Sequence, residues 1–165
     1  MIALRLATLE DFDFFYDLKC EESNIYWTRY DEKPKRENLY GFFISAIDNA
    51  AGRETRKIFI VENGSIPVGH LYMIPDLETN SFELAPAVSE KYRGKGYAKK
   101  AIELGLQIGQ EYGFSKLLTS IREDNTAFLK VFAACGAKLL PEYRMVYIPK
   151  LGKEVKMFFV EKELN

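Results

Sequence analysis

Apolar and polar positions along this chain alternate with two periods, which divide it into strands and helices. A period of two indicates seven strands. A period near 3.6 indicates four helices, the first of which carries Phe12, Phe15 and Tyr16 on one face. The predicted order is strand, two helices, three strands, helix, strand, helix and two strands. The predicted strands are Ile2–Leu6, Lys57–Val61, Ile66–Ile74, Ser81–Val88, Ser115–Ile121, Lys138–Ile148 and Val155–Val160.

Glycine and proline positions refine this pattern. Asn63-Gly64 is a strong hairpin signal, because a type I′ turn needs positive φ at both central residues. Pro86 lies inside the fourth predicted strand. Because proline cannot donate to a ladder, we expect that strand to be bulged or open there. Gly105 and Gly109 each cost a helix roughly 1 kcal/mol relative to alanine, so they predict close packing of the third helix on the sheet.

The element order predicts the fold class. A chain of 165 residues fits one domain of ordinary size, residues 1–165. Strands and helices alternate in its second half, which is typical of α/β folds. One mixed sheet of about seven strands with helices on its faces would bury the apolar side of every element.

Composition and charge exclude several functions. The formal net charge of −1 argues against a dedicated nucleic-acid binder. Cys20 and Cys135 lie too far apart in sequence to suggest a metal site, and we expect none. His70, the only histidine, lies in a strand pattern, which favours a packed side chain over a catalytic one. No stretch approaches the roughly 18 apolar residues of a membrane span, so we expect a cytoplasmic protein that makes no membrane contact.

The segment Ser89–Ala98 has the properties of an anion site. Gly94 and Gly96 allow backbone amides to turn toward one point. The helix that follows adds its unpaired N–H groups and the positive end of its dipole. Basic residues dominate the segment, with only Glu90 of opposite sign, and this favours a polyanion such as a diphosphate. The basic residues are Lys91, Arg93, Lys95, Lys99 and Lys100.

Other interpretations of this loop stay open. A dinucleotide-binding loop needs G-x-G-x-x-G after the first strand, whereas Lys99 stands at the third glycine position here. A phosphate P-loop needs Gly-Lys-Ser/Thr, and Gly94-Lys95-Gly96 does not supply it. A solvated basic turn and a nucleotide or nucleic-acid site are further possibilities.

The residues from Glu83 onward resemble a known family. Arg93, Gly96 and Ala98 match the R/Q-x-x-G-x-G/A signature of the GNAT superfamily of N-acetyltransferases, and the preceding Glu83–Ser89 resembles that family's splayed fourth strand. The element order is similar over essentially the whole chain. The resemblance implies a GNAT-like, mostly antiparallel sheet. It also implies transfer of an acetyl group from acetyl-CoA to a primary amine of a small molecule or peptide, by direct attack.

The same resemblance assigns roles to the loop and the strand end. Ala87 and Val88 would pair with the pantetheine arm, and the Val88 amide would polarise the thioester carbonyl. The CoA pyrophosphate would be held by the backbone amides of Arg93, Gly94, Lys95, Gly96, Tyr97 and Ala98.

A second segment resembles the family's later helix. Asn125, Phe132 and Gly136 fit the spacing of an Asn, an aromatic residue and a Gly in that helix, so Asn125 and Phe132 would lie beside the cofactor. An N-cap role for Asn125 is equally compatible. Many members carry a Tyr that protonates the leaving thiolate at the aromatic position. Phe132 has no proton to give, and Cys135 is a weak substitute.

The base and the acceptor site are less defined. Glu83 lies in an otherwise apolar strand, where burial would raise its pKa, and is the candidate base. A solvent-facing strand residue without a catalytic role is an equal alternative for it. Pocket-forming loops and strands offer Tyr26, Trp27, Tyr30 and Tyr143 as acceptor contacts. An alternative function is a non-catalytic CoA or acyl-CoA binding module. Either a monomer or a homodimer is compatible with the sequence.

Overall fold

A computed structural model describes residues 1–28 and 32–165 and arranges them on one seven-stranded sheet. The strands lie in the order β1-β2-β3-β4-β5-β7-β6. Only β4 and β5 are parallel neighbours, and every other pair is antiparallel, so the sheet is mixed and mostly antiparallel as predicted. The strands are β1 (Ile2–Leu6), β2 (Lys57–Asn63), β3 (Ile66–Asp76), β4 (Ser81–Val88), β5 (Lys116–Arg122), β6 (Lys138–Ile148) and β7 (Lys153–Glu163).

Five α-helices cover the two faces of the sheet in the described part of the chain. The helices are α1 (Phe12–Lys19), α2 (Glu22–Trp27), α3 (Arg36–Asp48), α4 (Tyr97–Glu111) and α5 (Thr126–Ala134). Four correspond to the predicted helices. The fifth, α2, occupies part of the stretch expected to be a loop, and its six residues are too few for helical periodicity to be recognised. No helix among the described residues is long and apolar enough to cross a membrane.

Two hydrophobic cores lie on opposite faces of the sheet. One packs α1 and α3 against β2, with Phe15 and Phe43 fully buried. The other packs α4 and α5 against the central strands. Here Gly109 lets α4 approach closely, since a Cβ on it would lie 2.2 Å from the Phe82 ring. The expected close packing of α4 on the sheet is therefore observed.

The β2–β3 hairpin turns one residue later than predicted. Asn63 pairs with Ile66, so Gly64 and Ser65 form the two-residue loop. Gly64 has a φ of 66°, whereas Ser65 is not among the described residues with positive φ. A single positive φ at the first loop residue is typical of a type II′ turn, not the type I′ turn expected from Asn63-Gly64.

β4 and β5 separate along most of their length. Only Ser81 and Phe82 pair with β5, although β4 continues to Val88. On its other side β4 keeps an unbroken register with β3 through Pro86, so the strand is open there and not bulged. Thr119 Oγ1 donates to the Leu84 carbonyl oxygen at 3.2 Å, which shows that the Leu84 backbone faces β5.

The direction in which the backbone groups of β4 point explains how this strand tolerates Pro86. Backbone groups two residues apart point the same way, so Pro86 and Val88 face the opening as Leu84 does. The N–H group that proline lacks would therefore point into the opening, where β4 has no partner strand. The proline removes no bond between β3 and β4 and leaves the gap beside β4 open.

Candidate active site

A cavity of about 650 Å³ occupies the opening between β4 and β5. It extends from the glycine-rich loop after β4 to side chains beneath α1. Most of the predicted site residues line it, which brings together parts of the chain more than 100 residues apart. These lining residues are Trp27, Glu83, Ala87, Val88, Arg93, Gly94, Gly96, Tyr97, Ala98, Asn125 and Phe132.

The end of β4 presents one backbone donor to this cavity. Ser89 N–H donates to the Val68 carbonyl at 2.9 Å, so Ser89 faces β3 and Ala87, two residues earlier, does too. A Cβ placed on Gly69 of β3 would lie 2.3 Å from the Ala87 carbonyl oxygen, so this carbonyl also points toward β3. The Ala87 backbone is thus turned away from the opening, and Val88 supplies the N–H that points into it.

The loop after β4 has the geometry of an anion site. Gly94 and Gly96 have φ of 77° and 79°, and no atom lies within 4 Å of where a Cβ on either would be. α4 begins at Tyr97, so its first N–H groups have no partner within the helix. No acid stands in its first turn. Lys95 is exposed and does not line the cavity.

Arg93 anchors this loop to its surroundings. Its Nε donates to the Val88 carbonyl oxygen at 3.1 Å, and Nη2 donates to Asn24 Oδ1 at 3.4 Å. Glu21 accepts from Ser89 Oγ at 2.8 Å. α2 is therefore tied to the loop by side chains, a connection that no local pattern in the sequence predicts.

α5 brings its two predicted residues to the cavity wall. Asn125 is the N-cap of α5, accepting from Phe128 N–H at 3.2 Å. Phe132 is 1% exposed and belongs to the core beneath α4. Cys135, the weak candidate proton donor, does not line the cavity. Burial raises the pKa of its thiol, and its Sγ lies 3.8 Å from the Lys99 carbonyl oxygen.

The predicted acceptor residues separate in space. Trp27 lines the cavity, and the Arg122 guanidinium lies 4.8 Å from its ring centroid. Tyr26 lines a shallower depression instead. Tyr143 is half exposed on β6 beneath Lys156 and is not part of the cavity wall. Tyr30 lies outside the described residues.

Three side chains at the inner end of the cavity were not predicted as site residues. Lys19, His70 and Tyr72 line it together, from α1 and β3. His70 is packed, as expected, at 1% exposure, but it also faces the cavity. Arg122 is a further unpredicted lining residue, held by Asp124 at 2.8 Å. Only the pairing of β3 with β4 and the placement of α1 bring the first three residues together.

Burial shifts the pKa of three groups that line this cavity, Glu83, Lys19 and His70. It raises the pKa of the Glu83 carboxyl, although Arg144 and Arg56 act against it. It lowers the pKa of the Lys19 ammonium to about 8, with the like charge of Arg56 adding to the effect. Burial, and then the charge of Lys19, lower the pKa of the His70 imidazole well below 6.5, so the ring is neutral at pH 7.

The open sheet, the glycine-rich loop and the helix that follows define the chain as an α/β acyltransferase. A family model described as acetyltransferase (GNAT) domain matches residues 2–138, and the chain belongs to this family. No sequence match was found among curated proteins. In the described part of the chain, no three His, Cys, Asp or Glu side chains come together as a metal site.

Solved structures share the fold at low sequence identity. Spermidine N-acetyltransferase from Vibrio cholerae, in complex with CoA and spermine, superposes with a TM-score of 0.85 at 17% identity, covering 98% of this chain and 95% of that one. Ribosomal-protein-alanine N-acetyltransferase from Brucella melitensis gives 0.82 at 17%, covering 98% and 99%. A phosphinothricin acetyltransferase from Sinorhizobium meliloti with acetyl-CoA gives 0.81 at 16%, covering 99% and 89%.

Proposed function

We propose that this protein is an N-acetyltransferase that moves the acetyl group of acetyl-CoA to the primary amine of a small molecule or peptide. The observation that carries the proposal is the continuity of the glycine-rich loop with the open side of β4 in one cavity. Structurally similar acetyltransferases hold CoA or acetyl-CoA, and one of them also holds a polyamine.

The cavity fits acetyl-CoA in shape and charge. The free N–H groups at the start of α4 and the left-handed Gly94 and Gly96 suit a pyrophosphate, with no side chain in its way. The Val88 N–H, at the strand end nearest the loop, suits the pantetheine arm or thioester. Pro86 has no N–H to offer, so Val88 is the first donor toward the opening beyond Leu84.

The reaction we propose is direct attack. The amine nitrogen bonds to the thioester carbon, the C–S bond breaks, and CoA leaves as a thiolate. The Val88 amide stabilises the charge that develops on the carbonyl oxygen. The amine must first lose a proton, and Glu83 is the proposed acceptor of that proton. Five residues of strand separate Glu83 from Val88, which is about 17 Å, so the proton must travel through water in the cavity.

One observation favours a second function, a non-catalytic CoA-binding module. Phe132 occupies the position where many relatives carry a tyrosine, and it offers no proton to the leaving thiolate. Cys135 does not face the cavity and cannot replace it. Water is then the remaining donor for the thiolate. Release of free thiol that depends on an added amine would establish the transferase over the binding module.

The test of cofactor binding is a calorimetric titration with acetyl-CoA. Gly96→Glu places a carboxylate and a side chain in the anion site and should weaken binding by about 100-fold, because the added charge repels the pyrophosphate and the side chain occupies its space. Gly64→Glu is the matched control. Gly64 also has a positive φ and open space around it, but it lies in the β2–β3 hairpin and not in the cavity wall.

Both variants carry the same backbone strain and the same added charge. Equal loss of acetyl-CoA affinity in the two variants would show that the effect is general destabilisation. Wild type that fails to bind acetyl-CoA at millimolar concentration would remove the basis of the proposal. Wild-type binding that only Gly96→Glu abolishes places the pyrophosphate at this loop.

A further inference from the structure

The inner end of the cavity holds a positive charge without a counter-ion. Lys19, the last residue of α1, is 7% exposed, and its Nζ lies 4.5 Å from the centroid of the Tyr72 ring. Within residues 1–28 and 32–165, no carboxylate forms an ion pair with it. The charged neighbour that most affects it is Arg56, which has the same sign. A buried cation of this kind is costly unless an anion joins it.

The same end of the cavity holds an unpaired imidazole. His70 Nδ1 and Nε2 are both buried and have no hydrogen-bond partner in the described structure. Its ring stacks on Tyr72 at 4.6 Å and lies 5.3 Å from Phe15. Buried polar atoms are nearly always satisfied in folded proteins, so two orphan nitrogens in a cavity wall indicate a missing partner. A neutral imidazole offers one N–H donor and one acceptor.

These two groups stand next to the proposed reaction centre. His70 pairs with Ala87 across β3 and β4, one residue from Val88, and Tyr72 pairs with Ala85. Two residues along a strand span about 7 Å. A small acceptor can therefore direct its amine toward Val88 while another group on the same molecule reaches Lys19 and His70.

The charge of this pocket sets the nature of that group. Lys19 contributes one positive charge, and His70 contributes a donor without charge. The acid of this cavity wall, Glu83, pairs with Ile74 and so lies beyond Tyr72, further from Val88 than His70 is. A carboxylate, with one negative charge and two acceptor oxygens, matches this pair. A phosphate monoester, with nearly two negative charges, would be buried with one of them uncompensated. A neutral acceptor would leave the Lys19 charge unpaired.

We propose that Lys19 and His70 bind a carboxylate of the acceptor, which makes the substrate class amines that carry a carboxylate, such as free amino acids. The inference rests on the proposed acetyl transfer. It assigns the two residues to acceptor recognition and not to the chemical step.

The test compares amino acids with their own carboxamides. The two keep the same side chain and differ at the carboxylate, whose loss also lowers the pKa of the neighbouring amine, so binding is measured beside turnover. With CoA present, thermal shift measures binding independently of turnover, and thiol release with acetyl-CoA measures kcat/KM. We expect the best amino acids to exceed their carboxamides by about 10- to 100-fold in kcat/KM and to raise the melting temperature more.

Lys19→Met tests the residue itself. Methionine keeps the length of the side chain and suits the apolar contacts of Phe15 and Tyr72, so the variant should fold. The acid-to-carboxamide ratio should fall to about one in Lys19→Met. Lys33→Met is the matched control, because Lys33 also lies over an aromatic ring, Tyr16, but is exposed and outside the cavity wall. It should keep the wild-type ratio.

The outcomes separate this inference from the proposed function. Equal use or equal binding of acids and carboxamides overturns it, and so does the absence of binding by any acid when CoA is bound. A preference for acids that survives in Lys19→Met overturns the role of Lys19. Acetyl-CoA affinity, measured on the same variants, should stay at the wild-type value. If wild type itself did not bind acetyl-CoA, that result would instead count against the proposed function.

Discussion

The pKa of the Glu83 carboxyl is subject to two opposed effects. Burial on β4 favours its neutral form, whereas the charges of Arg144 and Arg56 favour the carboxylate, and the first effect is the larger. A carboxyl group with a raised pKa is better matched to accepting a proton near neutral pH than an ordinary one.

This balance predicts a specific pH dependence. If Glu83 is the base, it must be deprotonated, so kcat/KM should fall as the pH drops through its raised pKa, at a pH above 4.5. Glu83→Gln should lower kcat/KM by about 10²-fold, the low end for a general base because the proton reaches Glu83 through water, and should remove that acidic limb. The measurement is a pH–rate profile of thiol release for both proteins.

Glu83→Asp is the control, because it keeps the carboxyl group and should keep the limb with reduced activity. An unchanged profile in Glu83→Gln would mean that the proton leaves by another route. His70, which pairs with Ala87 and so lies closer to Val88 than Glu83 does, would then be the next base to examine by substitution.

For single residues, the sequence predicted those features that depend only on neighbouring positions in the chain, such as backbone conformation and helix capping. Gly94 and Gly96 adopt the positive φ that their spacing suggested, and Asn125 caps α5 as its position suggested. Lys19 and His70 meet only because α1 packs against β3, and no periodicity within either segment contains that information. Tyr143 failed as a lining residue for the same reason, since the orientation of β6 is set by its pairing with β7.

Among the elements, α4 depends most on a close approach to the sheet. Gly109 faces the Phe82 ring, and Gly105 faces the Leu84 and Leu71 side chains, with a Cβ on it 2.9 Å from the nearest atom. The helix thus gives up intrinsic stability at two positions in order to lie close to β4. Its N-terminus must sit at the end of β4 for the anion site to form.

Gly109→Ala should therefore destabilise the protein although alanine is the better helix former. The added methyl group would overlap the Phe82 ring, and overpacking of this kind costs about 1–3 kcal/mol. Gly41→Ala is the comparison, because Gly41 is exposed in α3 with no atom within 4 Å of a Cβ. That change should stabilise by about 0.5–1 kcal/mol. Urea denaturation of both variants measures the difference, and equal effects would contradict this account of α4.

The elements themselves were largely predictable, with two informative exceptions. Periodic strands such as β4 and β6 were predicted with their observed bounds. α2 was missed because its six residues are stabilised by tertiary contacts, such as the hydrogen bond from Ser23 Oγ to Glu90, and the periodicity of the sequence contains no information on such contacts. The hairpin turn lies one residue later than predicted because Asn63 still pairs with Ile66, and the register shift between Val61 and Glu62 leaves Gly64 and Ser65 as the loop.

The molecule as a whole is a sheet of two parts that meet weakly. β1 to β4 form one part, and β5, β7 and β6 form the other. Within the described sheet, β4 and β5 are joined by two backbone residue pairs and by the hydrogen bond from Thr119 to Leu84. The hydrophobic core beneath α4 also connects the two parts. The cavity lies in the remaining gap, and its wall takes residues from both parts, including Val88 and Ile121.

A ligand in this gap should join the two parts and stabilise the whole fold. Binding to the native state alone adds about 2.7 kcal/mol at a ligand concentration 100 times Kd, so acetyl-CoA should raise the melting temperature with rising concentration. Acetyl-pantetheine, which lacks the pyrophosphate, should give a smaller increase. Hydrogen exchange should slow most at Val88 and at residues 94–98 and least in β1, which lies far from the gap and gains only the general stabilisation. Gly96→Glu should lose the response to acetyl-CoA, and protection confined to β1 and β2 would contradict the placement of the ligand between β4 and β5.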